Sequence, residues 1–131
     1  MSEANVELVA EMYRAFHGER PVDAMSYFSD DVVVDVTSRV DGGTGRGRDD
    51  LTRIIGQWLG MFDDWHEEIE QVRGTGDLVC VVAVQHGRGK DSGIEAQMRY
   101  AIVYEVRDNT IAAMTLYRDP AEAFEAAGLR D

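Results

Sequence analysis

Hydrophobic positions recur with helical spacing in three parts of the chain. In residues 3–17 the apolar side chains stand three or four positions apart, which predicts an amphipathic helix. Residues 21–28 predict a short second helix with a proline in its first turn. A third helix is predicted over residues 51–62. It follows Asp49 and Asp50, whose negative charges suit a helix N-terminus.

The pattern then changes to strands. Beta-branched and aromatic runs separated by turn-forming residues predict strands over 32–36, 65–73, 78–89, 94–106 and 111–119. The glycine-rich stretch 37–48 predicts a loop, and residues 74–77, 89–93 and 107–110 predict turns. Residues 120–129 close the chain as a short helix. The predicted order is ααβαββββα, which favours an α+β fold with a mainly antiparallel sheet.

Composition narrows the class of protein. A chain of 131 residues with 44% hydrophobic content fits one globular domain, residues 1–131. The net charge of −12 argues against binding to nucleic acid or to an anionic membrane surface. No segment resembles a signal peptide or a membrane span, so a cytoplasmic location is expected. Cys80, the only cysteine, lies in an apolar strand and is expected to be a buried small hydrophobe.

Three segments carry a resemblance to a known family. They are VELVAEMYRAFHGERPVDAMSYFSDDV, GTGRGRDDLTRIIGQWL and KDSGIEAQMRYAIVYEVRDNTIAAMTLYRDPAEAFEAAGL. Together they resemble the nuclear transport factor 2-like superfamily and, within it, the SnoaL-like group. The resemblance implies a cone-shaped curved sheet wrapped around N-terminal helices, with an apolar cavity that binds a small apolar molecule. It also implies a homodimer formed through the sheet, which would suit segments such as IVYEV that are apolar on both faces.

Ketosteroid isomerases in this superfamily are similar to the chain in MYRAF and SDDVVVDV. Their chemistry needs a carboxylate base, a tyrosine and a protonated aspartic acid. Tyr13 matches the tyrosine, but the base position falls on Val36, with Asp35 one residue away and so on the opposite strand face. The second acid position falls on Ile102. The isomerase mechanism is therefore disfavoured.

The segment LYRD near the end of the chain resembles two other chemistries. In limonene-type epoxide hydrolases Asp119 would match the base that activates water, but VAVQHGRG lacks the Arg-x-Asp pair that this mechanism also needs. SnoaL-type polyketide cyclases need chiefly one acid/base carboxylate in an apolar pocket, and Asp119 matches its position. The resemblance therefore implies Asp119 as the catalytic acid/base, with His86 as the second choice and Tyr13 orienting the substrate.

Strand parity carried over from the resemblance predicts which side chains face the cavity. Cys80, Val82, Val84 and His86 are expected there from one strand. The predicted substrate-binding residues are Arg118, Tyr100, Tyr104, Met98, Met114, Trp58 and Val36.

Each candidate also has a structural interpretation. Asp119 directly precedes Pro120, so it suits the N-cap of the last helix without any catalytic role. His86, beside Gly87, suits the solvent-exposed end of a strand, and the tyrosines suit a core. HEEIE at 66–70 supplies only one histidine of a zinc motif, so no metal or other cofactor is predicted.

Two functions stay open: a cyclase or isomerase acting on an apolar carbonyl compound, and a non-catalytic hydrophobic-ligand-binding or dimerisation module.

Overall fold

The computed structural model describes residues 2–38 and 42–129. Part of the predicted loop at 37–48, residues 39–41, lies outside this range. The helices are α1 (Ser2–Phe16), the 3-10 helix η1 (Pro21–Tyr27), α2 (Arg48–Leu59) and α3 (Pro120–Ala126). The strands are β1 (Phe28–Asp35), β2 (Thr44–Arg46), β3 (Phe62–Thr75), β4 (Leu78–Gly89), β5 (Glu95–Arg107) and β6 (Thr110–Tyr117). Within the described range no helix has the length and apolar character needed to cross a membrane.

The six strands form one mixed, mostly antiparallel sheet in the order β2-β1-β6-β5-β4-β3. Only β1 and β6 pair in parallel among these strands. The predicted α+β class is confirmed, as is the segregation of strands after helices. One element was missed: β2, a three-residue strand inside the predicted glycine-rich loop, pairs with β1.

The predicted turn at 107–110 is a two-residue hairpin. Asp108 and Asn109 both have positive φ, 52° and 61°, between the paired residues Arg107 and Thr110. Positive φ at both central positions is the geometry whose twist matches the flanking strands. Aspartate and asparagine tolerate it better than most residues, which explains why β5 and β6 reverse here.

The sheet has two faces with different coverings. The inner face packs on α1, η1 and α2 and forms the main core, which includes Val9, Val34 and Ile111. On part of the outer face a second apolar cluster lies under α3, where Ala123 and Ala127 cover Cys80 and neighbouring strand residues. The sheet is therefore apolar on both faces partly because the chain's own last helix covers the outer one.

The predicted parity of β4 was wrong by one residue. Val81 and Ala83 belong to the inner core, whereas Cys80 and Val82 belong to the outer cluster. The reason is the pairing with β5, in which Val81 lies opposite the inward-facing Ile102. Residues directly opposite one another in an antiparallel pair share a face. Because side chains alternate along a strand, Val81 and Ala83 then face inward, and Cys80 and Val82 face outward.

An irregularity in β3 sets the direction of its side chains. The register shifts between Asp63 and His66, with Asp64 in the left-handed region at φ 56°. Such a bulge adds one residue to one strand and re-aims the side chains that follow. As a result Trp65 and Glu67 face the cavity described below, while His66 lies on the outer face.

Candidate functional site

A cavity lies between the inner face of the sheet and the helices α1 and α2. Its volume is about 100 Å³, and most of its lining is apolar or aromatic. A cavity of about 150 Å³ admits benzene, so this one accommodates at most a small ring without rearrangement. Six of the predicted substrate or catalytic residues line this central cavity: Tyr13, Val36, Trp58, Tyr100, Tyr104 and Met114.

Glu67 is the charged residue of the central cavity. Its side chain is only 2% exposed. One carboxylate oxygen lies 2.8 Å from Nε2 of His17, at the end of α1, and the other accepts a hydrogen bond from the Tyr100 hydroxyl. A buried carboxylate is costly unless hydrogen bonds stabilise it, and here both oxygens have a partner.

Tyr13 and Tyr104 form a second polar pair in the cavity. Their hydroxyl oxygens are 2.6 Å apart and both side chains are buried. Burial raises the pKa of Tyr13 well above its usual value, and the neighbouring Tyr104, Tyr100 and Glu67 add to the effect. Burial likewise raises the pKa of Tyr104, against the opposing effect of its hydrogen bond with Tyr13. Both phenols therefore stay protonated.

Two tryptophans and a glutamine form one boundary of the cavity. The indole N–H groups of Trp58 and Trp65 donate to Oε1 of Gln85, at 2.8 and 2.7 Å. The same three residues also line a neighbouring pocket of about 240 Å³, together with the predicted ligand residue Met98. We call this second space the rim pocket. It adjoins the central cavity at Trp58, Trp65 and Gln85.

The carboxylate predicted from sequence lies elsewhere. Asp119 is exposed, and its Oδ1 accepts a hydrogen bond from the backbone N–H of Ala121 at 3.0 Å, which makes it the N-cap of α3. Arg118 is exposed as well, and its backbone N–H donates to Ser38 Oγ at 3.3 Å. Neither residue lines the central cavity or the rim pocket. The capping interpretation accounts for the position of Asp119.

His86 also lies away from the central cavity. It is on the outer face of β4, where its ring stacks on that of His66 with a centroid separation of 4.8 Å. The parity shift of β4 explains this placement, since Gln85 takes the inward position. His86 lines the rim pocket but not the central cavity, and Asp119 lines neither, so their catalytic roles stay predictions.

A family model supplies the decisive comparison. Residues 9–114 match the model of the SnoaL-like domain. This protein belongs to the SnoaL-like family. The match spans α1 to β6 and so includes every polar group of the central cavity.

Solved structures share the fold of this SnoaL-like chain. An NTF2-like protein of unknown function from Burkholderia pseudomallei K96243 is 20% identical, with a TM-score of 0.78 over 97% of this chain and 98% of its own. A protein from Jannaschia sp. CCS1, provisionally named a SnoaL-like polyketide cyclase, is 16% identical, with a TM-score of 0.79 over 99% and 95%. A hypothetical protein with a ketosteroid isomerase-like fold from Catenulispora acidiphila DSM 44928, in complex with trimethylamine, is 22% identical, with a TM-score of 0.73 over 95% and 94%. No curated protein sequence matches significantly.

The sequence analysis did not identify two residues of the candidate site, Glu67 and His17. Both left a signal. Glu67 lies between Trp65 and Ile69 in period-two alternation, which places an acid on an otherwise apolar strand face. His17 stands four residues after Tyr13, on the same side of the first helix.

Proposed function

We propose that this SnoaL-like protein binds a small, largely apolar carbonyl compound in the central cavity and moves a proton with Glu67. The observation that carries the proposal is a carboxylate 2% exposed in a cavity that is otherwise mainly apolar. Titratable groups in such surroundings are the usual acid/base candidates of an active site. In this proposal Glu67, and not Asp119, is the catalytic acid/base.

His17 would connect Glu67 with solvent. Its Nε2 faces the carboxylate at 2.8 Å, while its side chain is 34% exposed. An imidazole with one nitrogen on a buried acid and an accessible ring can pass protons between the acid and water. Glu67 could then return to its starting protonation state after each proton transfer.

The tyrosine pair would stabilise the oxygen of the bound carbonyl. Two hydroxyls that bond to each other use one of their two protons in that bond, so the pair retains one O–H that can donate. Because the pKa values of Tyr13 and Tyr104 are raised, this donor persists to alkaline pH. A preorganised donor in a dry cavity favours a developing enolate.

Proton transfer can be measured without the natural substrate. Acetone is a three-carbon ketone small enough for the central cavity, and exchange of its protons in D2O is followed by proton NMR. We expect the protein to accelerate this exchange and Glu67→Gln to lower the acceleration by about 100-fold or more, the usual contribution of a general acid/base. Glutamine keeps the shape and one acceptor oxygen, so the cavity is retained.

Asp119→Asn is the matched control because it also changes one acid to its amide. Asparagine caps helices about as well as aspartate, so this variant should fold normally and exchange protons at the unchanged rate. Loss of exchange in Asp119→Asn together with its retention in Glu67→Gln would reverse the assignment of the acid/base residue.

A non-catalytic binding function is the second candidate. Both oxygens of Glu67 already have protein partners, and aromatic side chains such as Trp58, Trp65 and Phe16 line the same cavity. A buried carboxylate beside aromatic rings suits a small ammonium ion that carries apolar substituents, since ring faces attract cations. The complex of the Catenulispora relative with trimethylamine is consistent with a ligand of this kind.

Calorimetric titration separates the two candidates. A binding protein of this type should bind trimethylammonium and lose affinity in Glu67→Gln, yet should not accelerate the exchange of acetone protons. Exchange catalysis that trimethylammonium inhibits competitively would support the acid/base function and place both molecules in one cavity.

A further inference from the structure

The outer face of the sheet brings together two histidines that are distant in sequence. His66 on β3 lies directly opposite His86 on β4, and their rings stack within 10° of parallel. Glu68 is two residues further along β3 and therefore shares the face. The second histidine that the HEEIE segment lacks is thus supplied by the neighbouring strand. We infer that His66, Glu68 and His86, here called the outer triad, bind a divalent first-row transition metal ion, with zinc as the first candidate.

The separations within the outer triad suit this function. One potential ligand atom from each residue lies within 4.8 Å of the others, and His86 Nε2 is 3.7 Å from Glu68 Oε1. Zinc binds imidazole nitrogen and carboxylate oxygen at roughly 2.0–2.2 Å, so neighbouring ligand atoms lie roughly 3.3 Å apart around a tetrahedral ion. The triad must therefore contract by about 1.5 Å at most, from 4.8 to 3.3 Å.

Side-chain rotation is sufficient for that contraction. The lone pairs of two stacked imidazole rings lie in two parallel planes that do not meet, so one ring must turn about its Cβ–Cγ bond for both to reach one ion. The Glu68 side chain is 73% exposed and that of His86 27% exposed, which leaves both side chains room to move. The strand pairing fixes the backbone, so the two histidines stay opposite each other while they reorient.

A backbone contact prepares His66 for metal binding. Its Nδ1 lies 3.2 Å from the carbonyl oxygen of Asp64, which can only accept a hydrogen bond. In the neutral ring this contact favours the proton on Nδ1, which leaves the lone pair of Nε2 for a metal. Metal-binding histidines commonly donate their second nitrogen to a carbonyl in this way. Asp64 adopts positive φ in the bulge, so the irregularity of β3 places this carbonyl.

The electrostatic surroundings favour a cation. The triad borders an open pocket of about 420 Å³ whose lining also includes Asp64 and Glu95. Two arginines lie nearby, but Arg88 pairs with Asp64 at 3.1 Å and Arg99 with Glu70 at 2.9 Å. The net charge of −12 raises the local concentration of cations further. Two histidines with one carboxylate favour zinc and its neighbours over magnesium or calcium, which prefer oxygen ligands.

The test is calorimetric titration of zinc chloride into tag-free protein that has been dialysed against a chelator. We expect one ion per chain, no binding of magnesium, and a melting temperature raised by roughly 5–15 °C when zinc is at about a hundred times its dissociation constant. His66→Gln and His86→Gln should each weaken zinc binding by more than about 10-fold, since even loss of an outer-shell partner costs that much.

Glu125→Gln is the matched control for Glu68→Gln. Both residues are exposed acids and both changes remove one negative charge, but Glu125 lies on α3 and is not one of the three triad ligands. Glu68→Gln should weaken binding while Glu125→Gln leaves it within about twofold. The inference fails if zinc gives no saturable binding, if either histidine variant binds it undiminished, or if one ion binds per two chains.

Discussion

At the scale of single residues, the tyrosine pair is the least replaceable feature of the cavity. Tyr13 comes from α1 and Tyr104 from β5, so their hydrogen bond of 2.6 Å joins a helix to the sheet. Removing one hydroxyl leaves the other buried without its partner. That loss costs more than the net value of a hydrogen bond, because the desolvation of the remaining group is no longer offset.

Tyr104→Phe is therefore expected to lower the free energy of unfolding by about 1–3 kcal/mol. The double variant Tyr13→Phe/Tyr104→Phe should be less destabilised than the sum of the two single variants, because neither hydroxyl is then stranded. Urea unfolding of the parent chain, the two single variants and the double variant measures the free energy of unfolding of each and the departure from additivity. Strict additivity would show that the two hydroxyls do not interact in solution.

The raised pKa values of Tyr13 and Tyr104 also predict how stability depends on pH. The folded state holds these phenol protons more tightly than the unfolded chain, whose tyrosines have a pKa near 10.0. Their contribution is therefore fully present below about pH 10 and is lost as the pH rises above that value. Absorbance titration should show these two of the five tyrosines ionising only as the chain unfolds. A simple titration of all five near pH 10 in folded protein would contradict this.

At the scale of elements, α3 depends on its first residue. The helix has only seven residues, and the side chain of Asp119 satisfies the backbone N–H of Ala121. Short helices gain little from their own hydrogen bonds, so the cap and the packing on the sheet hold the element in place.

Asp119→Ala should destabilise the protein by about 1 kcal/mol through loss of the cap, whereas Asp119→Asn should be close to neutral. Chemical denaturation of the two variants beside the parent chain gives the comparison. Equal destabilisation by both changes would mean that the negative charge, and not the capping hydrogen bond, is what matters.

Most elements could be predicted from the sequence because their signals are local. The helical spacing of α1, the turn residues before β6 and the Asp-Pro pair at α3 each depend on neighbours in the chain. The missed strand β2 depends on a distant contact: a Cβ on Gly45 would lie 2.8 Å from Asp50 Cβ, so glycine lets β2 approach α2 closely. Judged by local propensity alone, such a glycine indicates a loop.

The candidate site was harder to predict for the same reason. The cavity tyrosines follow from the family resemblance, but the direction of each strand residue depends on bulges and on cross-strand pairing. The bulge before His66 and the pairing of Val81 with Ile102 each change which side chains face inward. Asp119 carries a strong local signal for a helix cap, and that local role is the one its position supports.

At the scale of the whole molecule, α3 changes the interpretation of the apolar outer face. Phe124 packs on the cluster that contains Cys80 and Val103, and the Arg73 guanidinium lies 5.2 Å from the centre of its ring. In this region the chain supplies its own cover, so apolarity there does not require a second subunit. Homodimerisation through the sheet stays a prediction, to be measured by analytical ultracentrifugation.

The reactivity of the Cys80 thiol reports how firmly α3 is packed on the outer face of the sheet. It is fully buried in the outer cluster, and burial raises the pKa of its thiol against the opposing effect of Arg73. A thiol reagent should therefore label native protein slowly. Phe124→Ala should accelerate labelling by about 10-fold or more, since each 1.4 kcal/mol lost from the packing of α3 raises the open population tenfold. Phe124→Leu, which keeps much of the contact, should change the rate far less.

The hydrogen bond between His17 and Glu67 ties the end of α1 to β3, a strand at the edge of the sheet. The acid that we assign to chemistry is thus also a structural tie, because each of its oxygens satisfies a group on another element. Removing both oxygens would destabilise the fold, whereas glutamine keeps one acceptor oxygen and the shape of the side chain. A variant library screened for heat resistance alone should therefore accept glutamine beside glutamate at position 67, whereas one screened for turnover should retain only the acid.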